Sequence, residues 1–280
     1  MRKTYKLFIG GAFPRSESGR TYEVTDTKGG FVANAALASR KDARDAVVAA
    51  RKAQPGWAGR TGYNRGQILY RIAEMLEGRA GQFAEELRTA GAGKQAAAAE
   101  VDAAIDRWVW YAGWADKLAQ VRGSANPVAG PYFDFSTPEP TGVVAVVAPP
   151  GSHLLGLVSV LAPVIVGGNT AVVVAAEHGA LPAITLAEVL ATSDLPGGVV
   201  NLLTGRAAEI TPWLASHLDV NAIDLTGADP ALATEAERAA AENLKRVHHP
   251  VAAPDWTTDP GLRRMTTYLE TKTVWHPTGT

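Results

Sequence analysis

The sequence predicts an α/β protein built on a parallel sheet with helices on both faces, preceded by a β-rich opening segment and followed by a lone terminal strand. Three observations carry this. Apolar, β-branched runs recur at 143–147, 171–174, 199–203 and 222–225, and strands that are apolar on both faces belong to sheets buried on both sides. Each run is followed by about a dozen residues of helical periodicity, the βαβ pattern of parallel sheets. The last such segment leads into Thr- and aromatic-rich chain at 265–275, which reads as an extended strand.

The elements follow in order. Tyr5 to Ile9 before Gly10-Gly11, and then Thr21-Tyr22-Glu23-Val24, read as short strands between turns. Ser39 is an N-cap for a helix with Ala43, Ala46, Val47 and Ala50 on one face, and Gln54-Pro55-Gly56 is expected to end it. Two further helices carry Ile68, Leu69, Ile72, Met75 and Leu76, then Val101, Ile105, Trp108, Val109, Ala112 and Leu118. The apolar stretch 154–166, broken by Pro163, is shorter than the roughly 18 residues needed to cross a bilayer and is read as a buried helix. Asp194-Leu195-Pro196-Gly197-Gly198 stops one helix, and Asp229-Pro230 starts another as N-cap and first-turn proline. Beyond His248 the chain is turn-rich up to the strand at 265–275. That strand needs a partner, and the only unassigned strand-like run is 132–136, so the two are expected to form a flap or to reach a second subunit.

Composition removes several functions. Lys and Arg number 27 against 28 Asp and Glu, a net charge of −1, so no field draws the chain to nucleic acid. There is no cysteine, which excludes disulfides, thiolate metal ligands and thiol nucleophiles. The apolar stretch after Arg2 and Lys3 is too short for a secretory signal, and a cytoplasmic location is expected. His248-His249 lacks a third ligand at metal-site spacing, so no metal is expected.

The sequence resembles the aldehyde dehydrogenase superfamily over nearly its whole length. The matches, in order, are Leu7-Phe8-Ile9-Gly10-Gly11-Ala12-Phe13, Ala53-Gln54-Pro55-Gly56-Trp57, Tyr111-Ala112-Gly113-Trp114-Ala115-Asp116-Lys117, Glu139-Pro140-Thr141-Gly142-Val143-Val144, Gly168-Asn169-Thr170-Ala171-Val172-Val173 and Pro196-Gly197-Gly198-Val199-Val200-Asn201-Leu202. Tyr268 to Trp275 is similar to the family's C-terminal interface strand. The resemblance implies a Rossmann-like open parallel sheet with flanking helices over 1–126 and 139–260, and a small β-flap for oligomerisation over 127–138 and 261–280. Truncation after Arg264 is expected to leave a folded, aggregation-prone monomer.

Against the family's chemistry of a cysteine nucleophile, a glutamate base and an asparagine oxyanion donor, each position departs. No thiol exists, Gly151 stands at the asparagine position, and Pro250 stands where the base would be, so no catalytic residue is assigned. The whole catalytic domain reads as excised between Val247 and the terminal strand. The residues matched to cofactor contacts are Pro149, Glu177, Gly205 and Gly227. A Glu on the turn after a buried strand is more commonly a solvated or capping residue than a ribose ligand, and the two glycines are accounted for first by tight turns. The ribose-contacting lysine is replaced by Val174 and the hydroxyl of the family's Phe-Thr-Gly-Ser turn by Ala228, so NAD or NADP is expected to bind weakly. The resemblance thus implies a non-catalytic structural or regulatory subunit, associating with itself or with a full-length aldehyde dehydrogenase through 265–275. The alternatives are an oxidoreductase subunit active only beside a chain supplying the cysteine, and a nucleotide-binding sensor module. Neither nucleic acid nor membrane is expected as a partner.

Overall fold

The β-branched runs become the centre of the protein because their side chains are apolar on both faces. In the computed structural model, which describes residues 3–250, 252 and 254–279, β6 (Val143–Val147), β7 (Thr170–Val174), β8 (Val200–Leu203) and β9 (Ala222–Asp224) pair in parallel, joined by β10 (Arg246–His248). Their order is β10-β9-β6-β7-β8. Val144, Val146, Ala171 and Val173 face one core with α6 (Leu155–Val166) and α7 (Ala180–Ala191). Val143, Ala145, Val147, Val172 and Val174 face a second core with α1 (Arg40–Ala58), α8 (Ala207–Ser216) and α9 (Pro230–Ala241). Every residue of α6 is buried, as a helix apolar all round requires. The strand β10 is absent from the sequence reading because its three residues lie at an exposed edge and carry no apolar pattern.

Outside this layer lie α2 (Gly62–Glu77), α3 (Ala80–Thr89), α4 (Lys94–Trp114) and α5 (Leu118–Arg122). Trp108 is fully buried in the core that α4 shares with α6, while Trp110 and Trp114 lie only partly buried against it. The opening segment forms a three-stranded sheet in the order β1-β3-β2, from β1 (Thr4–Tyr5), β2 (Thr21–Thr25) and β3 (Phe31–Ala36). The expected strand 5–9 shrinks to β1. Phe8 instead exchanges two hydrogen bonds with Leu202, of 2.9 and 2.7 Å, and caps the edge of β8.

Two helix ends differ from the sequence reading for tertiary reasons. The N-cap at Ser39 forms as expected, and Asp42 closes it into a capping box that the sequence reading did not include, but α1 runs through Pro55 to Ala58 rather than stopping at 54–56. Trp57 holds that last turn in place: it is buried, and its indole N–H donates to Ile165 O at 2.9 Å. The second difference is at the terminus, where 265–267, read as the start of the strand, belongs instead to the short helix α10 (Arg263–Thr267). Met265 and Tyr268, three residues apart, share the inward face of that turn and are fully buried. Truncation after Arg264 therefore removes the buried side chains of Met265 and Tyr268, and loss of stability, rather than a folded monomer, is the outcome this packing predicts.

The terminal strand β11 (Leu269–Pro277) pairs antiparallel with β5 (Tyr132–Pro140) along nine residues, from Leu269 opposite Pro140 to Pro277 opposite Tyr132. The partner chosen from sequence, 132–136, lies within β5. With β4 (Ser124–Asn126) the order is β11-β5-β4, so β11 is an edge strand.

Candidate dinucleotide crevice

The chain passes from β6 outward through β7 to β8, then returns to build β9 and β10 on the other side of β6. The order therefore reverses between β6 and β9, and in open α/β sheets ligands bind outside the carboxyl ends of the strands at that switch point. A cleft of about 240 Å³ lies there, lined by Val147, Ala148, Pro150, His153, Val174 to His178, Ala207 and Gly227.

Of the four residues matched to cofactor contacts, the structure brings Glu177 and Gly227 to this cleft and leaves Pro149 and Gly205 out of its lining. Glu177 opens a single 3₁₀ turn, its side chain exposed, and its carbonyl accepts a bond from the Tyr22 hydroxyl at 3.2 Å. Gly227 lies against β6, its N–H donating to Val147 O at 3.0 Å, and a Cβ there would fall 2.0 Å from Ala148 O. Pro149 is buried and packs over Gly156. Gly205 (φ +141) turns at the end of β8 against Ala38. Val174, at the position matched to the ribose lysine, is 1% exposed and faces the core. A Cβ at Gly151 would meet nothing within 4 Å, and the glycine offers no side-chain donor.

Both helices that flank the switch point end on carboxylates of the chain itself. Glu100, from α4, accepts from Ser152 Oγ at 2.8 Å, Leu154 N at 2.9 Å and Leu155 N at 3.1 Å. Asp229 accepts from Ala231 N and Leu232 N, each at 2.9 Å. The second was legible as a helix cap; the first has no sequence signal, because it comes from a helix some fifty residues earlier in the chain.

A second polar centre sits at the end of β9. Asp224, with no exposed surface, accepts from Arg264 Nη1 at 2.7 Å, from the Tyr268 hydroxyl at 2.6 Å and from Thr226 N at 2.9 Å. Burial and the adjacent Asp224 push the Tyr268 phenol well above its ordinary range. Arg107 donates to Ser159 Oγ at 3.0 Å and to the carbonyls of Trp256 and Thr258 at 2.6 and 3.1 Å. These groups hold the segment after β10 onto the sheet. Among the described residues no three His, Cys, Asp or Glu gather as a metal site; His249 instead meets Glu237 at 2.8 Å.

Burial pushes His153, His217 and His248 below the ordinary histidine value of 6.5. Nδ1 of His153 has no hydrogen-bond partner among the described residues. A base whose folded pKa is depressed stays neutral in the fold while the unfolded chain takes up the proton, so stability falls as pH drops below 6.5 and levels off under the folded values. Glu86, raised by burial, acts in the opposite sense at lower pH. Urea unfolding should show lower stability at about pH 5.5 than at about pH 7.5, with a shallower slope in His153→Gln. Equal slopes in the two proteins would show that His153 does not contribute.

The layered parallel sheet with its switch-point cleft defines a Rossmann-like α/β protein carrying an antiparallel flap. The aldehyde dehydrogenase family model matches residues 13–252, and the chain belongs to that family. It is 33% identical over 252 residues to aldehyde dehydrogenase, cytosolic 1, of Elephantulus edwardii, covering 86% of this chain and 49% of the relative. It is 32% identical to human retinal dehydrogenase 2 over 252 residues, 88% of this chain and 48% of that protein. The NAD+ complex of a Bacillus cereus aldehyde dehydrogenase superposes with a TM-score of 0.82 at 26% identity, over 88% of this chain and 50% of that one. HpcC from Thermus thermophilus gives 0.82 at 29%, over 88% and 47%. The chain spans about half the length of the relatives it matches. No helix among the described residues is long and apolar enough to cross a membrane.

Proposed function

We propose that this chain is a non-catalytic member of the aldehyde dehydrogenase family, a cytoplasmic structural or regulatory subunit that associates through its flap with a full-length aldehyde dehydrogenase. The observation that carries the reading is the absence of any cysteine, which leaves the family's covalent step without a nucleophile. Gly151 and Pro250 at the donor and base positions agree with it. The cofactor part of the reading is that NAD and NADP bind no tighter than high micromolar, about 5 to 6 kcal/mol, because Val174 and Ala228 replace a cation and a hydroxyl and because carboxylates stand at both flanking helix ends.

The association part rests on β11. It is nine residues long, without an interior proline, and its outer edge has no strand partner among the described residues. Edge strands of this kind are satisfied by strand addition through backbone hydrogen bonds. Trp275 (59% exposed) and Tyr132 (44%) stack edge to face at 5.8 Å beside that edge.

Native mass spectrometry of the full chain and of a chain ending at Leu269, which keeps Met265 and Tyr268, tests the assignment. The full chain should form a dimer, or a complex with an aldehyde dehydrogenase from the same organism, and the shortened chain should be a monomer. A full chain that stays monomeric both alone and in the mixture would sink the interface. NADH formation from aldehydes by the pure chain would sink the non-catalytic reading.

A further inference from the structure

A cavity of about 580 Å³ opens between the start of α1 and the end of α8, and it shares no lining residue with the crevice. Its floor is apolar, with Ala43 and Leu214 each 1% exposed, and the indole of Trp213 stands open beside them at 42%. Three cations from the first turns of α1, Arg40, Lys41 and Arg44, line it against one carboxylate, Glu17. Cations are stabilising at the C-terminal end of a helix, so Arg40 and Lys41 at the opposite end break a local preference. Breaks of that kind gather at functional places.

The nearby carboxylates are committed. Glu17 meets Lys41 at 3.6 Å and accepts from Ser39 Oγ at 3.1 Å, and Asp45 accepts from Arg44 at 2.7 and 3.0 Å. No carboxylate among the described residues meets Arg40. Its guanidinium lies instead over the Trp213 ring, 3.7 Å from the centroid. That stack fixes the plane of the fork, so less freedom is lost when an oxyanion docks on its N–H groups. The amides of α1 take no part, since Ser39 Oγ accepts from Lys41 N and Asp42 N, and recognition falls to side chains. His217 adds a donor: its Nδ1 accepts from Asp219 N at 3.1 Å, which leaves the proton of the neutral ring on Nε2.

We propose that this cavity binds a mononucleotide, with its phosphate on the Arg40 fork beside Lys41 and Arg44 and its base against the exposed indole of Trp213. A bare anion would use the cations and leave the indole and the apolar floor idle; a neutral ring would do the reverse. The volume lies within the roughly 300 to 1,000 Å³ of small-molecule sites. The inference is independent of the crevice and of the missing nucleophile.

The test is a calorimetric titration of the intact chain with AMP, with adenosine and with inorganic phosphate, in the wild type, Arg40→Ala, Arg40→Lys and Trp213→Ala. Both side chains are exposed, and thermal melts establish that each variant is folded. Arg40→Lys keeps the charge and loses the fork, and it decides the case where Arg40→Ala does not fold. The indole N–H resonance of Trp213, assigned as the one that Trp213→Ala removes, reports the cavity. AMP should bind the wild type and shift that resonance, while adenosine and phosphate each bind at least tenfold more weakly. Each folded variant should lose tenfold or more in AMP affinity. Wild-type AMP affinity weaker than about one millimolar, or AMP affinity equal in the wild type and the folded variants, would overturn the inference. AMP binding that leaves the Trp213 resonance unmoved would place the nucleotide elsewhere and overturn it. Phosphate binding as tightly as AMP would reduce the site to anion attraction and overturn the nucleotide assignment.

Discussion

Gly227→Ala should cost more than about 4 kcal/mol and leave little folded protein, since a whole domain is stable by only about 5 to 15 kcal/mol. The added Cβ would lie 2.0 Å from Ala148 O, 2.5 Å from Ala148 C and 2.8 Å from Val147 O. All three are backbone atoms at the end of the central strand, with no rotamer to yield. Relief requires the turn after β9 to part from β6, which breaks the 3.0 Å bond from Gly227 N to Val147 O and opens both cores at the sheet's carboxyl edge. Gly151→Ala is the matched control, because nothing lies within 4 Å of its would-be Cβ, and it should stay within about 0.5 kcal/mol of wild type. Urea unfolding of the pair decides. A Gly227→Ala protein within about 1 kcal/mol of wild type would show that the two backbones do not approach as described.

Asp224→Ala is expected to cost about 3 to 5 kcal/mol, the loss typical of removing one partner of a buried ion pair. The side chains of Arg264 and Asp224 are only 12% and 0% exposed. Without the carboxylate, the guanidinium keeps Thr226 Oγ1 at 3.2 Å, the Tyr268 hydroxyl loses its acceptor, and a buried cation goes uncompensated. Tyr268→Phe removes one hydrogen bond to a charged group and should cost about 1.5 to 3 kcal/mol. Because the two residues share one bond at 2.6 Å, the double variant should lose less than the two single losses added together. Denaturation of the three variants measures this, and limited proteolysis after β10 should find the 254–262 segment released in Asp224→Ala. Strict additivity, or an Asp224→Ala protein as stable as wild type, would remove Asp224 as the anchor of that segment.

The sheet was legible because its evidence is local. Val143 to Val147 and Ala171 to Val174 are apolar at every position, which only burial on both faces explains. Ser39 and Asp229 announce helix starts through side chains that bond amides two or three residues away. The absence of cysteine was equally visible, since composition needs no coordinates. Of the four residues read from sequence as cofactor contacts, Glu177 and Gly227 line the cleft, while Pro149 and Gly205 serve packing and a turn.

What tertiary structure alone decided has one physical form: a contact between distant residues outweighs a local preference. Pro55 reads as a stop, yet the turn beyond it survives because Trp57 docks on Ile165, 108 residues on. Met265 to Thr267 favour strand, yet burial of Met265 and Tyr268 winds them into a helix against α6. Glu100 is an ordinary surface residue by sequence, and only the packing of α4 beside α6 places its carboxylate on Leu154 and Leu155, 54 and 55 residues away. Local periodicity sets which elements form; the cost of leaving a distant donor, charge or aromatic side chain unsatisfied sets where they end and what occupies their ends.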